Sequence, residues 1–148
     1  MNRFIKHQMQ PCPVSCVCTC LAMLSGLPAP TVIAKWHDKY REGNTSLRVI
    51  LDDLKVEFSS FDTCDNPSLC DEGVYLCTAP SLNNVAGTHQ ILIELTEDDY
   101  YVIDPVQGRE DRKYYVKRGE SGGDNLSVEL RGFTIDAFVS AEWLKARA

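Results

Sequence analysis

Residues 10–20, which read QPCPVSCVCTC, contain the residue types needed for nucleophilic chemistry. Pro11 and Pro13 favour extended backbone before them, so a helix is predicted to begin after Pro13 with Ser15 at its N-cap. Cys16 is then the first helical residue, where unpaired N–H groups and the positive end of the helix dipole stabilise an anion. Because a thiolate is the nucleophilic form of cysteine, Cys16 is predicted to be the reactive thiol.

The other cysteines of this stretch have different interpretations. Cys12 lies in the loop between the prolines and is the second choice as a nucleophile. Cys20 follows Cys16 by about one helical turn on a buried row, a usual position for a free core cysteine. Cys18 is on another side of the helix, so the three thiols of a helix do not converge on one metal ion. Zinc held by an irregular Cys-x-Cys-x-Cys loop is the alternative, but neither a metal nor a cofactor is expected.

A predicted hairpin supplies a histidine and an aspartate. Residues 89–95 (HQILIEL) form the outgoing strand, residues 96–99 (TEDD) the polar turn and residues 100–104 (YYVID) the returning strand. In this register His89 and Asp104 are diagonal neighbours on one face, about 7–8 Å apart at the backbone, which their side chains can bridge. A slip of one residue would place them on opposite faces.

Cysteine catalysis requires a thiolate, a base, a group that orients the base and donors for the oxyanion. Cys16, His89 and Asp104 provide the first three. Gln10, six residues before Cys16, is predicted to complete the oxyanion hole with the Cys16 backbone N–H, and Gln8 is the alternative donor. His37, on a predicted second helix, is a weaker choice of base because no carboxylate is evident to orient it.

The order and spacing of these residues resemble the bacteriocin-processing branch of the papain-like cysteine peptidases, whose members cut leader peptides after a double glycine. The resemblance rests on Gln10 and Cys16, the CLAM sequence at 20–23, His89, and the VIDPVQG sequence at 102–108. In that family the matching glutamine, cysteine, histidine and aspartate are the oxyanion donor, nucleophile, base and orienting residue. The resemblance implies a papain-like α+β fold, with N-terminal helices packed on an antiparallel sheet.

Two positions depart from the family pattern: Val17 stands where glycine is usual, and Ser15 stands where an acidic residue is usual. The first hypothesis is a thiol hydrolase that cleaves a peptide or isopeptide bond in a peptide or protein substrate. A catalytically silent papain-like domain that binds a peptide or partner protein is the second. A deamidase or acyl transferase of the same fold is the third.

The remaining elements follow from periodicity and turn residues. The first helix is predicted to end at the Ser25-Gly26 step, the second to begin at Pro30 or Thr31, and the third to be capped by Asn44 or Thr45. Further strands are predicted at residues 56–61, 73–78, 112–117 and 128–133, a loop containing Cys64 and Cys70 at residues 62–71, and a last helix at residues 135–146.

The whole chain has 148 residues, which predicts one domain spanning 1–148. Its formal charge of −6 argues against a nucleic-acid partner. No apolar run is long enough for a membrane span, and the N-terminus lacks the apolar core of a signal peptide, so no membrane insertion and a cytoplasmic location are expected. Seven cysteines, an odd number, fit reduced thiols.

Overall fold

The computed structural model describes residues 4–60 and 71–147. Helices and strands follow the order α1 (Cys16–Ser25), α2 (Ala29–Arg41), α3 (Leu47–Asp53), β1 (Ser59–Ser60), β2 (Gly73–Pro80), β3 (Thr88–Leu95), β4 (Tyr100–Ile103), β5 (Tyr114–Val116), β6 (Ser127–Glu129), β7 (Thr134–Ser140) and α4 (Ala141–Arg147). Five strands form one antiparallel sheet in the order β1-β7-β2-β3-β4, and β5 and β6 form a separate parallel pair. The predicted α+β class is confirmed. Phe61, Cys64 and Cys70 lie outside the described residues.

Helix α1 is the centre of the larger core, because every residue from Cys18 to Leu24 is buried. It begins at Cys16 after Ser15, as predicted, although the Ser15 hydroxyl donates to the Cys12 carbonyl (3.1 Å) instead of capping the helix. It ends at Gly26, whose φ of 79° suits a residue without Cβ. The helix packs on α2 and on β3, so its first turn is held close to the sheet.

Helices α2 and α3 start at residues other than those predicted. α2 begins at Ala29, with Pro30 in its first turn, where a missing N–H costs no helical hydrogen bond. α3 is capped by Ser46, whose hydroxyl accepts from Val49 N (3.3 Å), so the proposed caps at Asn44 and Thr45 are wrong. Both helices bury their apolar residues in the same core as α1.

The β3–β4 hairpin has the predicted register. Leu95 is opposite Tyr100 and Ile93 is opposite Val102, while Thr96 N donates to Asp99 O (2.8 Å) across the turn. Strand β4 ends at Ile103, one residue earlier than predicted, so Asp104 follows the strand. The hairpin therefore delivers residues 89 and 104 to the same end of the sheet.

The C-terminal segment differs from the prediction of one helix over residues 135–146. Residues 134–140 form β7, which lies between β1 and β2, and only the residues from Ala141 onward are helical. Burial alternates along β7, with Ile135, Ala137 and Val139 buried and their neighbours half-buried. Strand β7 forms backbone hydrogen bonds along both of its edges, and its β-branched and aromatic side chains suit a pleated surface. Together these factors outweigh the helical spacing of Phe138 and the residues after it.

The other predicted strands are present in shortened or lengthened form. Strand β2 runs to Pro80, two residues beyond its predicted end at residue 78, whereas the strands predicted at residues 112–117 and 128–133 are reduced to the three-residue strands β5 and β6. Within residues 4–60 and 71–147, no helix is long and apolar enough to cross a membrane.

Candidate active site

Cys16, His89 and Asp104 meet where the start of α1 contacts the β3–β4 hairpin. The His89 Nε2 atom lies 2.6 Å from Asp104 Oδ1, and the His89 side chain lies close enough to the Cys16 thiol to lower the pKa of that thiol. Because Asp104 occupies Nε2, the other ring nitrogen, Nδ1, is left for the sulfur. Three residues from two distant parts of the chain thus lie together in the order thiol, imidazole and carboxylate.

The Asp104 carboxylate is fully buried and accepts three hydrogen bonds. Oδ1 accepts from His89 Nε2 and from Val106 N (2.9 Å), and Oδ2 accepts from Tyr115 N (2.8 Å). The two backbone donors satisfy the carboxylate and fix its plane, which in turn fixes the imidazole. The His7 ring also lies 2.9 Å from the backbone carbonyl of Asp104.

The electrostatics of the pair favour a thiolate beside an imidazolium. Burial alone would raise the pKa of the Cys16 thiol, but the hydrogen bond and charge of His89, with the backbone N–H groups of Gln90 and Val17, lower it. Burial likewise opposes charge on His89, yet Asp104 and Cys16 raise its pKa to about 10. Each partner therefore stabilises the charged form of the other.

The remaining thiols of the described chain are placed differently. Burial raises the pKa of the Cys18 thiol to about 11 and moves the pKa of Cys20 and of Cys77 well above the ordinary value. Burial also opposes ionisation of Cys12, but the Ser15 hydroxyl and neighbouring backbone N–H groups lower its pKa. Cys12 thus shares a lowered pKa with Cys16, but no histidine is among its partners.

Gln10 lies against the same site and is 1% exposed. Its backbone N–H donates to Pro105 O (2.7 Å), and its side-chain Nε2 donates to Cys12 O (2.8 Å). One amide hydrogen therefore remains for a ligand, and Oε1 is buried without a partner. The alternative donor, Gln8, is committed elsewhere: its amide donates to Leu27 O and accepts from Ala29 N, both at 2.7 Å.

A cleft of about 290 Å³ opens over these residues. Gln10, Cys16 and His89 line it together with three arginines, Arg41, Arg109 and Arg112. His37 does not line the cleft. Among the described residues, no group of three or more His, Cys, Asp or Glu side chains is arranged to hold a metal ion.

Several residues of the site have no strong sequence signal. Tyr115 and Val106 act through backbone N–H groups, which any non-proline residue carries, and Gln90 also supplies a backbone donor. Arg109 donates from Nη1 to Gln10 O (3.1 Å) and so holds the Gln10 segment against the β4–β5 connection. No sequence signal marked Arg41, Arg109 or Arg112 as residues that line the cleft.

No family model matches the chain, and the comparisons with curated proteins and with solved structures also find no match. The class of protein is therefore inferred from the fold and from the geometry of the site.

Proposed function

We propose that the chain is a papain-like thiol hydrolase that cleaves a peptide or isopeptide bond through Cys16, His89 and Asp104. The observation that carries the proposal is the hydrogen bond from His89 to the buried Asp104, with the Cys16 thiol beside the imidazole at the base of an open cleft. The helix-on-antiparallel-sheet architecture and the resemblance to the bacteriocin-processing peptidases support the papain-like assignment.

The first half of the reaction is acylation. The Cys16 thiolate attacks the substrate carbonyl, and the resulting oxyanion receives the Cys16 backbone N–H and the free Nε2 hydrogen of Gln10. Because the first N–H groups of a helix have no intrahelical acceptor, the Cys16 N–H is available for this purpose. The His89 imidazolium then donates its Nδ1 proton to the leaving amine, so the C–N bond breaks and a thioester remains.

The second half is hydrolysis of the thioester. Neutral His89 accepts a proton from water, whose oxygen attacks the thioester carbonyl, and the same oxyanion donors are used again. Collapse of the second tetrahedral species releases a carboxylic acid and restores the Cys16–His89 ion pair. Asp104 accepts from Nε2 throughout, which keeps Nδ1 directed at the sulfur and stabilises the imidazolium.

The test is digestion of a proteome-derived peptide library with the full chain, followed by mass spectrometry of the products. New peptide termini that appear with the wild type and are missing with Cys16→Ala support the proposal. The matched control is Cys12→Ala, which removes the other thiol of lowered pKa and is expected to leave cleavage intact. If Cys12→Ala abolishes cleavage and Cys16→Ala does not, the nucleophile is misassigned.

The same spectra separate the other hypotheses. A deamidase leaves chains uncut and raises the mass of glutamine or asparagine peptides by about 1 Da, while an acyl transferase joins an amine to the acyl group instead of water. A silent binding domain yields no product and also shows no preferential labelling of Cys16 by a thiol-reactive probe near neutral pH.

A further inference from the structure

The cleft over Cys16 carries a charge opposite to that of the protein. The chain has a formal charge of −6, yet the charged side chains at the rim of the cleft are Arg41, Arg109 and Arg112. Among the described residues that line the cleft, none is acidic. A cationic site on an anionic protein concentrates anionic ligands locally while the remaining surface repels them.

The three arginines that line the cleft belong to two separate parts of the fold. Arg41 is in the last turn of α2, whereas Arg109 and Arg112 belong to the connection between β4 and β5. That connection is fixed at Asn83, whose side-chain amide donates to Lys113 O and accepts from Lys113 N, both at 3.0 Å. The positive charges of the cleft are therefore supplied by two separate parts of the fold.

Among the described residues, no carboxylate forms an ion pair with the guanidinium groups of Arg41, Arg109 or Arg112. Arg109 has in addition a buried Nε without a hydrogen-bond partner, and Gln10 beside it has a buried Oε1 in the same condition. The Arg109 Nε–H is a donor, which a ligand carboxylate satisfies, whereas the Gln10 Oε1 is an acceptor and does not favour an acidic ligand.

We propose that the cleft selects acidic peptide substrates, with aspartate or glutamate side chains flanking the bond that Cys16 attacks. Arg41 and Arg112 pair with these carboxylates, and Arg109 adds positive charge next to the oxyanion position. Guanidinium groups suit this role because they bind carboxylates in bidentate geometry and stay charged at every physiological pH. The inference rests on the proposed function, since it assigns the substrate class of that same site.

The first test compares two alkylating reagents, iodoacetate and iodoacetamide, which differ by one negative charge. The rate constants for Cys16 are measured by mass spectrometry in a Cys12→Ser background, and their ratio is compared with that of a free model thiol. We expect the iodoacetate/iodoacetamide ratio to exceed that of the model thiol and to fall as salt rises. In Arg41→Gln/Arg112→Gln the ratio should fall about fourfold, about twofold for each arginine.

Arg118→Gln is the matched control, because this exposed arginine carries the same charge but does not line the cleft. Its ratio should equal that of the parent protein. A ratio that is unchanged in the double variant, or that falls equally in Arg118→Gln, overturns the inference. The ratio requires only an alkylated thiol, so it decides the charge preference whether or not the triad is catalytic.

The second test uses the cleavage sites from the peptide library. We expect aspartate and glutamate to be enriched within about four residues of the cut bond, and kcat/KM for such a peptide to fall about 10- to 100-fold in Arg41→Gln/Arg112→Gln. For the same peptide with glutamine in place of its acidic residues, kcat/KM should fall little in Arg41→Gln/Arg112→Gln. Cleavage without acidic enrichment overturns this inference and leaves the proposed function standing, whereas absence of any cleavage counts against the proposed function.

Discussion

The first two turns of α1 each carry a cysteine, and the pKa values of the two thiols are shifted in opposite directions. Cys16, at the first turn, is partly exposed, and His89 together with backbone N–H groups lowers its pKa. Cys20, one turn later, is fully buried, and burial raises its pKa far above the ordinary value. Its thiol donates to the Gln90 carbonyl (3.4 Å), so it serves as a packed core residue.

The difference in pKa comes mainly from burial, which raises the pKa of Cys20, and from His89, which lowers that of Cys16, and the backbone of Gln90 adds to it. Cys16 faces the N–H of Gln90, whereas Cys20 faces the carbonyl of Gln90. A donor stabilises a thiolate and an acceptor stabilises a thiol, so one residue of β3 contributes to both outcomes. Reactivity in this stretch therefore comes from position and partners, and the number of cysteines says little about it.

The largest expected effect comes from replacing Cys16 and Cys20 with alanine, one at a time. Cys16→Ala should lower peptide cleavage by at least about a thousandfold while leaving the melting temperature almost unchanged. Cys20→Ala should keep most of the activity but lose about 1 kcal/mol of unfolding free energy, because it leaves a small cavity in the core. Cleavage assays and thermal denaturation on both variants measure the contrast, and loss of activity in Cys20→Ala without unfolding would contradict it.

The second largest effect is expected at Gln10. Gln10→Ala removes one of the proposed oxyanion donors and should lower kcat about 100- to 1,000-fold with little change in KM. Gln8→Ala is the matched control: its amide holds Leu27 and Ala29, so it should cost stability and leave kcat near the wild-type value. Steady-state kinetics with one cleaved peptide test both variants. A fall in kcat for Gln8→Ala greater than for Gln10→Ala would reverse the assignment.

The residues that the sequence places correctly are those governed by local rules. The prolines before Cys16 limit where α1 can begin, and a short turn with alternating strands determines the register that aligns His89 with Asp104. The position of Gln10 beside Cys16 is predicted from the sequence spacing of the two residues alone. These signals lie within a few residues of the groups that they position, so no knowledge of distant pairing is required.

The parts that the sequence does not predict depend on distant partners. β7 pairs with β2, more than 50 residues earlier in the chain, and this pairing converts an apparent helix into a strand. The donors to Asp104 are backbone groups, among them Tyr115 N, and no side-chain type marks them. Arg41 reaches the cleft only through the packing of α2, so the charge of the site becomes visible only in three dimensions.

The third prediction concerns the pH window in which the Cys16–His89 pair is reactive. Activity should rise as Cys16 ionises below the ordinary thiol pKa and fall as His89 loses its proton near its pKa of about 10, since neutral His89 cannot protonate the leaving amine. Both the rising and the falling limb of the pH profile reflect the titration of Cys16 and His89 as a coupled pair. The pH dependence of kcat/KM measures both limbs, and that of Cys16 alkylation measures the rising limb alone, because alkylation requires the thiolate and no proton from His89.

Asp104→Asn should shift this window. The amide cannot accept from both His89 and Tyr115 N, and it removes the negative charge that raises the pKa of His89. The pKa of the Cys16 thiol should therefore rise, and each unit lowers the thiolate fraction at neutral pH about tenfold. Asp99→Asn, at the other end of the same hairpin, is the control and should leave the alkylation profile unchanged. Equal shifts in the two variants would exclude a specific role for Asp104.

The smallest effect is expected at Ser15, which distinguishes Cys12 from Cys16. The Ser15 hydroxyl helps to lower the pKa of Cys12, whereas it is not among the groups that lower the pKa of Cys16. Ser15→Ala should therefore slow alkylation of Cys12 about two- to tenfold, the effect of one hydrogen bond, and leave Cys16 unchanged. Residue-resolved mass spectrometry gives both rates.

Ser25→Ala is the matched control for this last variant, because the Ser25 hydroxyl makes an equivalent bond to Ala22 O (3.0 Å) at the far end of the same helix. Neither thiol should respond to it. If Ser15→Ala slows alkylation of Cys12 and Cys16 equally, the serine stabilises the whole start of the helix. The difference in reactivity between the two thiols would then depend on His89 alone.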